Sequence, residues 1–162
     1  MNLEFRLVGP ADDTILTDLF QDIDQTFFRP HPFTADQAGF IASHEDRDKY
    51  ALLVEDGRAV AYGTLCGSDE AYGVPSVGIA VRMDAQGRGL TRAMMAHLHT
   101  EAGRRGATVV RVRVQADNVR ARRLYESLGY AYAGADRGEF VMLVALEQGL
   151  VAHGLSVPSL RR

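Results

Sequence analysis

The segment Val81-Arg82-Met83-Asp84-Ala85-Gln86-Gly87-Arg88-Gly89-Leu90-Thr91 governs how the rest of the chain is read. The apolar run Ser76–Val81 leads into it as a strand. A helical pattern leaves it, with Leu90, Met94, Leu98 and Ala102 recurring at helical spacing up to about Arg104. Gly87 and Gly89 stand between the two. Glycine lets the backbone approach a ligand closely, and the first N–H groups of a helix lack internal partners. With the helix dipole they favour a phosphate or pyrophosphate. The same glycines would also serve a plain turn. The segment is not a Walker loop, because Gly-x-x-x-x-Gly-Lys-Ser/Thr is absent. The dinucleotide fingerprint fails as well, since Arg92 stands where its third glycine belongs.

Upstream, Leu3, Phe5 and Leu7 alternate with Glu4 and Arg6, the pattern of a half-buried strand ended by Gly9-Pro10. Asp12 or Asp13 offers an N-cap for a helix running to about Thr26, with Ile15, Leu16, Leu19, Phe20 and Ile23 as its apolar stripe. The prolines of Arg29-Pro30-His31-Pro32-Phe33 break that helix. Thr34-Ala35-Asp36-Gln37 matches a capping box and starts a second helix near Ala35. Tyr50–Glu55 and Ala59–Cys66 form a hairpin across Asp56-Gly57-Arg58.

Downstream, Gly106 stops the long helix after Arg104-Arg105. In the strand Val109–Val114, Val110, Val112 and Val114 share one face, and Arg111 and Arg113 the other. Asn118 caps a helix with Ala121, Leu124, Tyr125 and Leu128 on one stripe, closed by Gly129. Tyr130–Ala133 and Phe140–Leu146 make a last hairpin, and residues 148–162 form a tail. The order β-α-α-β-β-β-α-β-α-β-β implies an α/β fold. Antiparallel hairpins precede one β-α-β unit, so the sheet is mixed, with helices on its faces. A single domain over residues 1–147 accounts for nearly the whole chain of 162 residues.

With 46% apolar and 24% charged residues the chain reads as an ordinary globular protein that needs no staple. Cys66 is the only cysteine, which excludes an internal disulfide and a cysteine-based zinc site and fits a reducing, cytoplasmic compartment. Met1–Arg6 lacks the basic and apolar regions of a signal peptide, and no apolar run approaches a membrane span. His97 and His99 lie two apart in a helix, where they do not share a face, so no metal site is expected. The net charge of −3 hides a division. Residues 1–80 carry 14 Asp/Glu against 5 Lys/Arg, whereas residues 81–162 carry 7 against 13. Such a split suits two differently charged faces or plain surface drift. Seven arginines lie between Arg104 and Arg123, but aromatic residues are not interleaved with them in the manner of a nucleic-acid surface.

Gln86-x-x-Gly89-x-Thr91 resembles the Arg/Gln-x-x-Gly-x-Gly/Ala signature of the GNAT family of N-acetyltransferases. Asn118, Ala121, Leu124-Tyr125 and Leu128-Gly129-Tyr130 are similar to that family's second signature, Asn-x-x-Ala-x-x-Leu-Tyr-x-x-x-Gly-Phe. The element order matches the same fold over about residues 3–147. The resemblance implies acetyl-CoA as co-substrate and no metal. Backbone groups of Ile79, Ala80 and Val81 would bond the pantetheine arm, in a gap where Ser76–Val81 splays from Val109–Val114. Backbone N–H groups of Gln86, Gly87, Arg88, Gly89, Leu90 and Thr91 would hold the pyrophosphate. Asn118 and Tyr125 would sit beside the pantetheine and the thioester sulfur. Two departures stand out: Thr91 replaces a small residue, and Met83 replaces a common proline.

The implied reaction is attack of a primary amine on a thioester in a ternary complex. Tyr125 is the expected general acid, because a phenol with pKa ~10 keeps its proton at neutral pH. The strand before the turn, Val74–Ile79, holds no carboxylate to act as base. His31, Asp69, Glu70 and Glu139 are the candidates, along with water. His31 is singled out for its pKa of ~6.5 and its place between two prolines. The acceptor is a small-molecule amine or a peptide amine, and a homodimer is compatible with the sequence. No nucleic acid or membrane partner is expected. The alternative is a non-catalytic acyl-CoA-binding sensor, which needs the turn and Asn118 but neither Tyr125 nor a base.

Overall fold

The computed structural model describes residues 3–23, 33–43, 48–67 and 74–146, together with the backbone of residues 160–161. The elements follow the expected order. They are β1 (Leu3–Leu7), α1 (Asp13–Phe20), α2 (Ala35–Ala42), β2 (Lys49–Glu55), β3 (Arg58–Cys66), β4 (Ser76–Val81), α3 (Leu90–Arg104), β5 (Val109–Gln115), α4 (Val119–Ser127), β6 (Ala131–Asp136) and β7 (Glu139–Leu146). A two-residue β8 (Leu160–Arg161) pairs with β7. The hydrogen-bonded order is β1-β2-β3-β4-β5-β7-β6. The β4–β5 pairing is parallel, over Ser76↔Arg111 and Val77↔Val112. The β1–β2, β5–β7 and β6–β7 pairings are antiparallel. A parallel pair needs a long crossover, and α3 supplies it.

The chain divides into two compact units, Met1–Thr64 with Gly78–Met95, and Leu65–Val77 with Ala96–Arg162. In the first unit, Leu16, Leu19, Phe20 and Ile23 of the expected stripe are buried against Ile41, Leu52 and Tyr62, with Ile15 packed at the margin. Phe20 meets Phe33 and Tyr62 edge-on, with ring centroids 4.8 and 5.2 Å apart, a preferred aromatic geometry. Thr34 caps α2 by accepting from Gln37 N–H at 3.1 Å, as the capping box requires. Asp56 and Gly57 both adopt positive φ, 52° and 79°. That is the two-residue turn that matches strand twist.

Two expectations change in this unit. Helix α1 ends at Phe20 rather than near Thr26. Asp22 N–H bonds back to Leu19 O at 2.9 Å, and Asp22 O accepts from Met83 N–H at 2.9 Å, which takes the chain out of the helix. Leu3 and Leu7 are exposed, because β1 ends the strand order, paired among the described strands with β2 alone. Asp12 precedes α1 but its carboxylate does not cap it. It accepts instead from Gly9 N–H at 2.9 Å and Arg6 Nη2 at 2.7 Å.

In the second unit, buried Val110 and Val112 stand opposite buried Val144 and Met142. Asn118 Oδ1 accepts from Ala121 N–H at 3.2 Å and caps α4 as expected. The α4 stripe, Ala121, Leu124, Tyr125 and Leu128, is only part-buried. Strand β6 begins one residue later than expected and runs on to Asp136. A bulge between Tyr132 and Gly134 takes up Ala133, and pairing resumes at Gly134↔Val141. Arg137 and Gly138, at φ 54° and 82°, turn it into β7.

Candidate active site

In the first unit, β4 delivers the chain to Arg82, and a single 3-10 turn, Met83–Ala85, follows. Gln86 is extended, at φ −69° and ψ 156°. Gly87 and Gly89 take φ of +79° and +77°, a region that L side chains rarely enter. Among the described residues, no atom lies within 4 Å of where a Cβ on either glycine would project. The glycines are thus set by backbone conformation and leave open space above the turn. Buried Ala85 and Leu90 anchor its two ends, while Gln86 to Gly89 are exposed. Ala93 N–H makes the first turn-closing bond of α3, to Gly89 O at 3.1 Å. The N–H groups of Leu90 and Thr91 precede it and have no intrahelical acceptor by helix geometry. This is the donor array and dipole end that an anionic diphosphate fits.

The cations around the turn face carboxylates. Arg88 forks onto Glu55 at the end of β2, with Nη1 at 3.1 Å from Oε1 and Nη2 on Oε2. That hydrogen bond holds the Glu55 carboxyl below its usual range. Arg58 pairs likewise with Asp84 at 2.9 Å, which lowers the Asp84 pKa. Arg82 is fully buried. Its Nε donates to Ala59 O at 2.9 Å, its Nη2 to Asp18 at 2.7 Å, and its Nη1 to Asp22. One side chain therefore ties α1 and β3 to the start of the turn. Ile79, Ala80 and Val81 occupy the end of β4 just before it.

In the second unit, Asn118 is the N-cap of α4 and Tyr125 lies within the helix, seven residues on, about 10 Å along the axis at 1.5 Å rise per residue. The cap uses the Asn118 oxygen, not its NH2 donors. Burial pushes the Tyr125 phenol up to about 12, so it stays protonated near neutral pH and has a proton to donate. Its ring lies 5.6 Å from that of Tyr130, tilted by 56°. Tyr130 is buried, and its hydroxyl stands 2.6 Å from Nε2 of buried His99 on α3. Burial lowers the His99 pKa to about 4, so the ring is neutral. Burial, and then the neighbouring Tyr125, raise Tyr130 well above 10.

Of the base candidates, His31, Asp69 and Glu70 lie outside the described residues. Glu139 opens β7 opposite Gln115 of β5 and Asp136 of β6. Among the described residues, no group of three His, Cys, Asp or Glu is placed to hold a metal ion. None of their helices is long and apolar enough to cross a membrane. Sequence reasoning missed Arg82, Glu55 and the His99–Tyr130 pair. Only His99 left a signal, since it follows buried Met95 by four residues and so belongs to the inner face of α3.

The sequence matches the acetyltransferase (GNAT) family over residues 16–130. The chain belongs to this family. The curated [ribosomal protein bS18]-alanine N-acetyltransferase of Escherichia coli is 32% identical over 124 residues, covering 76% of this chain and 82% of that protein. The GNAT domain of S. lividans PAT superposes with a TM-score of 0.79 at 18% identity, covering 89% of this chain and 90% of that one. The putative acetyltransferase yncA from Salmonella typhimurium, solved with its cofactor acetyl-CoA, gives 0.70 at 19% identity, with 91% and 95% covered. The fold of this GNAT chain is thereby the acyl-CoA N-acyltransferase one, and it is an acyl-CoA-dependent acetyltransferase.

Proposed function

We propose that the protein transfers the acetyl group of acetyl-CoA directly to the α-amine of a peptide within a ternary complex. The observation that carries the donor half is the Gln86–Thr91 turn, with its two positive-φ glycines, open space above them and the first N–H groups of α3 behind. Backbone N–H groups from Gln86 to Thr91 bind the pyrophosphate, and the Thr91 hydroxyl adds a donor. Backbone groups of Ile79–Val81 bond the pantetheine arm, and Asn118 holds it through its amide. The peptide acceptor is supported by the alanine N-acetyltransferase relative.

Chemically, a neutral amine nitrogen attacks the thioester carbonyl carbon. A C–N bond forms, the C–S bond breaks, and the amine proton passes to water or to His31. The departing thiolate takes the Tyr125 proton. Complete transfer from a phenol at about 12 to a thiolate of ordinary basicity (~8.5) runs uphill. Burial of the sulfur beside it would raise the thiolate's proton affinity in the same direction.

The test is release of free thiol from acetyl-CoA over a panel of alanyl peptides, lysyl peptides and polyamines. Turnover on alanyl peptides is expected. Tight acetyl-CoA binding without turnover on any amine would replace this reading with the sensor. Tyr125→Phe should lower kcat about 10²-fold, the low end of general-acid contributions. An unaltered kcat across pH would remove Tyr125 as the acid.

A further inference from the structure

Behind Tyr125 the second unit buries a pair that no step above uses. His99 and Tyr130 are both almost wholly inaccessible and meet through Nε2 and the hydroxyl at 2.6 Å. The arrangement costs stability. His99 Nδ1 has no hydrogen-bond partner among the described residues, and a buried polar atom left unpaired costs about 1–3 kcal/mol. An apolar pair of similar volume would avoid that cost, so the hydrogen bond invites a role other than filling space.

Its geometry supplies one. Gly129, at φ +92°, folds the chain back at the end of α4. Tyr130 N–H then bonds Tyr125 O at 3.0 Å, and the two rings stand 5.6 Å apart at 56°. We propose that Tyr130, pinned by His99, is a positioning residue that holds the Tyr125 side chain in one orientation. The hydroxyl fixes the Tyr130 ring, and the fixed ring is the wall against which Tyr125 rests. The bearing of this device on catalysis rests on the reading of Tyr125 as the general acid.

The experiment is NMR of the full chain with ring-labelled tyrosine, the Tyr125 signal being identified by its loss in Tyr125→Phe. Tyr130→Phe keeps the ring and removes the pin, and His99→Leu removes the other partner. Both should shift and broaden the Tyr125 ring resonances. His99→Gln, which can still bond the hydroxyl, should restore them. Unchanged Tyr125 resonances in Tyr130→Phe and His99→Leu, with each variant folded, would overturn the proposal. So would equal disturbance in His99→Gln.

Thiol release then separates this from the acid reading. Tyr130→Phe should lower kcat about tenfold, a modest fraction of what misplacement of a reacting group can cost. It should leave KM for acetyl-CoA within about twofold and have no effect in a Tyr125→Phe background. An equal loss in that background would overturn positioning. If Tyr125→Phe alone leaves kcat unaltered, the acid reading fails while the resonances still decide whether Tyr130 positions Tyr125.

Discussion

Replacing Arg82 with methionine should destabilise the protein far more than removing its carboxylate partners. Methionine keeps most of the buried volume, so the loss is that of the guanidinium's bonds. The bond to Ala59 O is charge-assisted and buried, and such bonds contribute about 1.5–3 kcal/mol. The Asp18 and Asp22 side chains are 58% and 47% exposed. Water therefore screens both pairs, leaving roughly 0.5–1 kcal/mol each. The sum is about 2.5–5 kcal/mol, or a fall in Tm of about 5–20 °C for a domain of this size. Asp18→Asn with Asp22→Asn should cost no more than about 2 kcal/mol. Thermal and urea unfolding of the three proteins measure this. A Tm for Arg82→Met within about 3 °C of the parent, or a carboxylate double variant equal to it, would refute the view that Arg82 acts through its buried bond.

Gly89→Ala forces a side chain to φ +77° with no atom among the described residues to clash against. The strain is conformational, about 1–2 kcal/mol, and equilibrium binding should show acetyl-CoA affinity falling at least about tenfold. Glu55→Gln should flatten the acid limb of a stability–pH curve. The Glu55 carboxyl is lowered chiefly by its bond to Arg88, so the pair stabilises above the unfolded carboxylate pKa, and that is lost as pH falls through the lower folded value. Identical curves would remove the effect. His99 acts by a different route. Its folded pKa of about 4 lies below the unfolded value, so the unfolded chain binds the extra proton between about pH 6.5 and 4. Parent stability should fall by about 3 kcal/mol more than that of His99→Met over that window, as read by urea unfolding at each pH.

What the sequence made legible was local. Asp56-Gly57, Thr34 with Gln37, and Asn118 each act on neighbours within four residues, and each was read as the structure has it. The bounds of α3 followed from apolar spacing and Gly106, because period and stop signal agreed. Apolar period alone carries α1 too far, because Ile23 keeps the spacing whereas Met83 takes the Asp22 carbonyl from far along the chain. The last hairpin's first strand, expected to end at Ala133, carries a bulge there and pairs on from Gly134↔Val141. The same limit governed the candidate site. Arg82 finds Ala59 across 23 residues and Asp22 across 60, Arg88 finds Glu55 across 33, and His99 finds Tyr130 across 31. No periodicity records such pairings. A charged residue at a strand end looks the same in sequence whether water or an arginine meets it.

The turning of Arg88 onto Glu55 and of Arg58 onto Asp84 bears on how the donor comes and goes. On the proposed reading, an arriving diphosphate is held by amide dipoles whose protons do not titrate. Capture should then vary little with pH, and less steeply with ionic strength than in a cleft lined by uncommitted arginines. The spent coenzyme, still carrying its phosphates, would leave without an ion pair to break, which favours rapid turnover where product release limits the rate.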